Sequence, residues 1–514
     1  MFVKRCSKTA ALAVAALLSG CAVGPDFKAP VPPDVDRYTR EPLPAHTAST
    51  DSAQGAAQHF DTRRDIPGDW WKVFHSRGLT MLIEESLAAN PNLQAALASL
   101  RAAKESVYAQ QGKFFPTVQA NFSPSRQRTS ASLSPVPANG DNQFNLYTAQ
   151  VLVSYTFDVW GGNRRMVEQL EALADVQRFQ VEAAYLTLTS NIVVAAIQDA
   201  SLRAQIDATN ELIAINERML KLLDEQYKHG LINRSDLAAQ EAALAQTRAT
   251  LPPLRKQLAV QRDLLTALVG RLPSQEPSER FRLATLRLPV DVPLSLPAQL
   301  VEQRPDVRAA EEQLHAAGAQ VGVAIANMLP NISLSANGGY TATQLAALTS
   351  PANAFWSLAG NATQTVFDGF ALLHQERSAE ATFQQAAWAY KATVIAAFQN
   401  VADSLKALQN DADALRAARD FERAAHTSRD LAEQQFRAGN ASFIVLLNAQ
   451  QTYQQARLAL VQAQANRLAD TAALYQALGG GWWNRAELVE QKLDVGTMQA
   501  KPVERKSNET GILP

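Results

Sequence analysis

The sequence has little of what most function classes require. Its 514 residues include only two cysteines, Cys6 and Cys21, and seven scattered histidines, His46, His59, His75, His229, His315, His374 and His426. No two histidines have the spacing of a zinc-binding helix, so no metal site is expected. There is no P-loop, no Gly-x-Ser-x-Gly elbow and no clustered acid pair, which sets an enzyme aside. Gly479-Gly480-Gly481 runs into Trp482-Trp483 instead of Lys-Ser/Thr, and reads as a helix stop. Lys plus Arg (48) balance Asp plus Glu (49) without a basic block in the long segments, which excludes nucleic acid as a partner.

Glycine and proline are absent from two further stretches. Residues 163–229 lie between Gly162 and Gly230, and residues 370–438 between Gly369 and Gly439. Without the two strongest breakers each stretch predicts one continuous helix, about 100 Å long at about 1.5 Å per residue. Such helices persist only in coiled coils, repeat arrays or the walls of a larger tube.

What is present begins with a signal. Lys4, Arg5 and Lys8 precede a short apolar run, Thr9 to Leu18, too short to span a membrane. The run ends Leu18-Ser19-Gly20-Cys21, which resembles a bacterial lipobox. That resemblance makes residues 1–20 a removed signal and puts a covalent lipid on Cys21. Ala22, in place of Asp, then favours sorting to the outer membrane. Residues 21–68, rich in Pro, Asp, Ala and Thr, read as an extended tether, with order beginning at Asp69-Trp70-Trp71 and Asp69 as a candidate cap of the first helix.

Asn90-Pro91 ends that helix, and a second is expected over residues 92–115, closed by Pro116. The period then changes to two. Val118, Ala120 and Phe122 alternate with polar residues, a Ser/Pro/Asn/Gly-rich loop covers residues 124–143, and Tyr147, Ala149, Val151, Val153, Tyr155 and Phe157 alternate again. Segments of this length with one apolar and one polar face read either as a soluble hairpin or as a hairpin of a membrane β-barrel. The long helix follows, with Leu212, Ile215, Met219 and Leu222 on one stripe, then a turn at Gly230, then a return helix over residues 235–269 that Pro252-Pro253 should break. Residues 271–303 read as a connector.

The chain then repeats. Asn90-Pro91-Asn92-Leu93 is answered by Arg304-Pro305-Asp306-Val307, and Phe115-Pro116 by Leu329-Pro330. Residues 331–337 and 354–367 provide two more strands, Phe157-Asp158 recurs as Phe367-Asp368, and Tyr227-x-x-Gly230 recurs as Phe436-x-x-Gly439. Each unit reads helix, strand, strand, long helix, helix: residues 69–270 and 304–482, with a tail at 483–514. Four strands cannot close a barrel, and an open edge cannot face lipid, so if the strands lie in a membrane several copies must share one barrel.

The order and spacing of Cys21-Ala22-Val23-Gly24-Pro25-Asp26-Phe27, Trp70-Trp71, Arg304-Pro305-Asp306-Val307, Phe367-Asp368-Gly369 and Leu478-Gly479-Gly480-Gly481-Trp482 resemble the TolC-like outer-membrane efflux family, in its OprM and NodT-type lipoprotein branch. The resemblance covers nearly all of the mature chain. It implies a mainly α protein with a membrane β-barrel: a homotrimer with a 12-stranded barrel, continued by a periplasmic α-barrel and belted by an equatorial region. It implies an exit duct joined through a periplasmic adaptor to an inner-membrane pump, with drugs or small toxic solutes as cargo and no cofactor beyond the lipid. The second reading within that class is a type I protein-secretion duct; outside it stands a periplasmic coiled-coil scaffold, in which the strands have no place. By resemblance the tips (Gly230 and Asn233, Gly439 and Ala441) receive the adaptor, and the aperture is gated by Asp236 with Arg234 or Arg437 and by Val445. From the residues alone, Gly230 and Gly439 are helix-ending glycines at positive φ, and Asp236 or Ser235 is a helix cap.

Overall fold

The computed structural model describes residues 22–128 and 143–485. Cys21, the signal and most of the tail lie outside them. Ser76 caps helix α1 (Arg77–Ala89) by accepting from the Leu79 N–H at 3.4 Å. Asp69 instead precedes a single 3₁₀ turn, Trp70–Phe74, and makes no side-chain cap bond, so the cap expected there is corrected by one turn of chain. Asn90 caps α2 (Pro91–Gln111), accepting from Asn92 and Leu93 with Pro91 at the first turn, where its missing N–H costs nothing.

The first hairpin is β2 (Thr117–Arg128) and β3 (Gln143–Phe157). Here β2 runs past the residue expected to end it: Pro124 stays in the strand opposite Tyr147. Within one chain its lack of an N–H is tolerated because β2 lies at the edge of the sheet. Next come α3 (Gly162–Lys228), α4 (Arg234–Ala249) and α5 (Leu251–Leu268). The return helix breaks at Thr250, placing Pro252 and Pro253 in the first turn of α5, where N–H groups are unpaired in any case. The connector holds β4 (Asp291–Pro293) and α6 (Pro297–Gln303). The second unit repeats the first with α7 (Pro305–Asn327), β5 (Asn331–Ala342), β6 (Ala354–Thr363), α8 (Ala371–Arg437) and α9 (Phe443–Ala477). Both long helices have 67 residues, about 100 Å each. α3 packs against α2, α7, α9, α4 and α5, and α8 packs against α7 and α9. The four long strands form one antiparallel sheet, ordered β2-β3-β5-β6.

The largest core lies midway along the helices. Trp70 stacks on Tyr475 with centroids 5.5 Å apart, over Phe74, Ile83, Ile192, Leu265, Val401 and Leu468. Trp482 donates to the Gln303 carbonyl at 2.6 Å and meets Phe179 edge-on, and Trp483 donates to Asp65 at 3.2 Å, so this tryptophan pair packs against the protein. Gly479, Gly480 and Gly481 all take positive φ just beyond α9, the helix stop expected of them.

The tether is the main correction. From Ala22 onward it is laid against the wall. Tyr38 donates to Ser295 O at 2.8 Å, and β1 (His59–Asp61) pairs in parallel with β4. The segment around Thr47 to Ala56 wraps the fully buried Arg467 of α9, which donates to Gln54 O (2.9 Å), Ala56 O (2.7 Å), Ala48 O (3.4 Å) and Thr47 Oγ1 (2.9 Å). Backbone acceptors that this irregular segment leaves without partners of its own are thus met by one guanidinium. Arg467→Met should leave these carbonyls buried and unpaired, lowering stability by about 3 kcal/mol. Limited proteolysis within residues 45–58 should accelerate; cleavage at the parental rate would show that the segment is held by other contacts.

Candidate functional site

The sheet is the first part of the site. Its registers place Val118, Ala120 and Phe122 beside Val153, Val151 and Ala149. These stand beside Ala336, Gly338 and Tyr340, which meet Leu358, Trp356 and Ala354. One face is therefore apolar across all four strands. The opposite face carries Gln119, Asn121, Gln150, Ser154, Ser335, Asn337, Ser357 and Asn361. Every residue of β2 is exposed and nearly all of β6, including Trp356 at 81% and Leu358 at 65%. A face of this kind is stable against lipid, with water on the other side.

At the foot of the sheet the chain's first described residues are clamped. Val23 N–H donates to Trp160 O at 3.0 Å, and Ala22 lies so close to Gly161 that a Cβ there would come within 2.6 Å of it. Arg165, buried at the start of α3, donates to Val23 O (3.0 Å), Gly24 O (3.2 Å) and Asp26 Oδ1 (2.8 Å). Phe27 stacks on His315 at 4.2 Å, and the His315 ring nitrogens meet Glu168 at 3.0 Å and Glu312 at 3.3 Å. Gly24, at φ +96°, crosses α7 at Gly322, where a Cβ would lie 2.4 Å from the Gly322 Cα. The residue after Cys21 is thereby fixed where strand becomes helix.

The far ends of the long helices are the second part. Gly230 (φ 69°) and Gly439 (φ 75°) turn the chain in the left-handed region, as expected. Met219, Leu223, Leu237, Phe443 and Leu446 form a small core that binds the two tips together. Asn233 is exposed, whereas Ala441 is half-buried, not the exposed position expected of it. Asn233 occupies the cap position of α4 without a side-chain bond, so neither Ser235 nor Asp236 is the cap; Asp236 lies in the first turn, half-buried. Arg234 pairs with Glu241 at 3.4 Å and Arg437 with Glu433 at 2.5 Å. Among the described residues no ion pair joins Asp236 to either arginine, and Val445 is 49% exposed.

Beyond the sites expected from sequence, α8 and α9 hold a half-buried acid pair, Asp411 and Asp470. The Asp411 carboxyl is pushed up to about 7, first by burial and then by its hydrogen bond to Asp470 and that group's charge; Arg467 opposes the shift. The folded chain holds a proton that the unfolded chain releases near the ordinary value of 3.8. This contribution to stability is present in acid and is lost as pH rises through about 7. Asp411→Asn should narrow the difference in thermal midpoint between pH 5 and pH 8 by raising the pH 8 value. An unchanged difference would assign the pH dependence to other groups. In the sequence the only cue to this pair was a polar position on the buried face of each helix.

A sheet with one lipid-compatible face and one wet face, continued by helices about 100 Å long, defines the wall of an outer-membrane channel. The chain belongs to the outer membrane efflux protein family, whose model matches residues 82–271 and 296–480. It is a channel component of an efflux system and not an enzyme. It is 29% identical over 496 residues to the antibiotic efflux pump outer membrane protein ArpC of Pseudomonas putida, covering 95% of this chain and 98% of that one. It is 28% identical over 442 residues to the pyoverdine export outer membrane protein OpmQ of Pseudomonas aeruginosa, covering 84% and 90%. Among solved structures, the outer-membrane channel OprN matches with a TM-score of 0.79 at 26% identity, covering 90% of this chain and all of that one.

Proposed function

We propose that three copies close a 12-stranded barrel in the outer membrane and continue it as a periplasmic helical tube, the exit duct of a tripartite efflux system. The observation that carries this reading is the four-stranded sheet with an apolar face and two free edges. Unpaired backbone groups in hydrocarbon cost several kcal/mol each, so the edges of β2 and β6 must be paired by other copies. The adaptor docks at the tips around Gly230, Asn233, Gly439 and Ala441, and an inner-membrane pump feeds the tube. ArpC is named for antibiotics and OpmQ for pyoverdine. Those names favour small solutes over exported proteins as cargo.

Cys21 carries the lipid anchor. The clamp on Val23, Gly24 and Asp26 supports this by holding the adjoining residue at the foot of the sheet, where acyl chains reach the inner leaflet. Each buried CH₂ contributes about 0.8 kcal/mol, so two or three chains give stable attachment. Cys21→Ala should abolish incorporation of labelled palmitate; labelling that persists would refute the anchor.

The aperture closes at Asp236, Arg234, Arg437 and Val445. Exposed pairs such as Arg437–Glu433 are worth only ~0–1 kcal/mol, so exchanging partners across copies is cheap. Threefold symmetry then repeats each contact around one opening. In planar bilayers the unmodified trimer should conduct weakly and the Asp236→Ala, Arg437→Ala double variant more strongly. Equal conductance would leave closure to apolar packing at Val445.

A further inference from the structure

The seam between neighbouring copies is already written inside the chain. The first unit maps onto the second by two offsets. Helix α2 and strand β2 map by 214 residues onto α7 and β5, since Pro91 becomes Pro305 and Thr117 becomes Asn331. Helix α3 maps by 209 onto α8, since Gly162 becomes Ala371 and Lys228 becomes Arg437. The strand registers fix the remaining offset. Thr117 faces Ser154 and Asn331 faces Thr363, so β3 maps onto β6 by 209 as well (363 minus 154).

Inside the chain β3 pairs with β5 and α3 packs on α7, and α3 packs on α9 as well. The equivalent partners of β6 and α8 are β2 and α2, which lie at the opposite edge of the same chain. Resting on the trimer reading, we infer that a second copy supplies them in the same register as the internal seam. The internal pairs Phe157–Ile332, Ser154–Ser335 and Tyr147–Ala342 become Val366–Val118, Thr363–Asn121 and Trp356–Arg128 between copies. Every apolar position of β6 then stays on the apolar face of β2, as a shared barrel requires. Trp356 also brings its ring to an arginine on the same outward face.

Three features left unexplained by one chain support this seam. Gly162 approaches Ala326 so closely that a Cβ would stand 3.0 Å from the alanine methyl; the equivalent positions are Ala371 and Gly112, with the two residue types exchanged. Gly112 ends α2 with ordinary helical geometry, and a Cβ there meets nothing within 4 Å in its own chain, so nothing inside the chain calls for glycine. The third feature is exposure on α8. Phe179 is 1% exposed and Leu186 8%, while their counterparts Trp388 and Ile395 are 69% and 60% exposed. Phe179 lies under Arg308 of α7 at 5.3 Å, which places Trp388 over Gln94 of the next copy.

The test is disulfide trapping in otherwise unmodified trimers. Thr363→Cys combined with Asn121→Cys should give covalent dimers and trimers on oxidation. Thr363→Cys with Gln119→Cys or Ser123→Cys, displaced by two residues, should give on the order of tenfold less, because displaced pairs lie near or beyond the ~7 Å limit for bridging. A second pair, Ala371→Cys with Gly112→Cys, reads the same seam in the helices, because a Cβ on the internal counterpart Gly162 would stand 3.0 Å from the Ala326 methyl. Trimers that trap through Gln119 or Ser123 instead, or that trap at neither seam pair, overturn the register while leaving the trimer intact. An unmodified chain that forms no trimer overturns the reading beneath it.

Discussion

The governing constraint is the hydrogen-bonding demand of a sheet edge in hydrocarbon. Inside one copy, β2-β3-β5-β6 satisfy each other but leave one edge of β2 and one of β6 open. In water an open edge is solvated; in lipid it is not tolerated. Oligomerisation therefore follows from four strands and an apolar face, before any property of the helices is considered. Helices α2, α3, α7 and α8 inherit the same geometry, since each begins or ends beside a strand of the sheet.

Charge serves a second purpose, which is to hold the irregular parts against the regular ones. Arg165 fixes the start of the tether to the barrel foot, and Arg467 fixes its middle to the belt. Both guanidiniums are buried and each meets several backbone carbonyls, a role the single ammonium of lysine fills poorly. The chain thus keeps the segment from Ala22 to Asp26 and its helical wall in one rigid relation. The core around Trp70 and Tyr475 lies between the tips and the clamp on Val23, Gly24 and Asp26.

Much of this was legible in the sequence, and the reason is periodicity. Two stretches free of glycine and proline became helices of 67 residues, and alternation placed Val118, Val151 and Phe157 on one face. The tips were legible because Gly230 and Gly439 must take positive φ. The tether was not, because its order comes from Arg165 and Arg467, far away in sequence and invisible to any local pattern. The cap at Ser76 was missed because the Trp70–Phe74 turn intervenes, and the extension of β2 because Pro124 reads as a breaker anywhere but on an edge. The gate residues sit near one another in sequence, but each arginine finds a glutamate on its own helix first.

The claim on which the rest depends is that no single copy is a complete wall. Native mass spectrometry of the detergent-extracted protein tests it directly. The account predicts one dominant species at three times the mass of the mature chain, persisting as detergent is stripped by collisional activation. A monodisperse monomer that keeps its strand content would contradict it, since four strands would then be stable in a membrane with both edges unpaired.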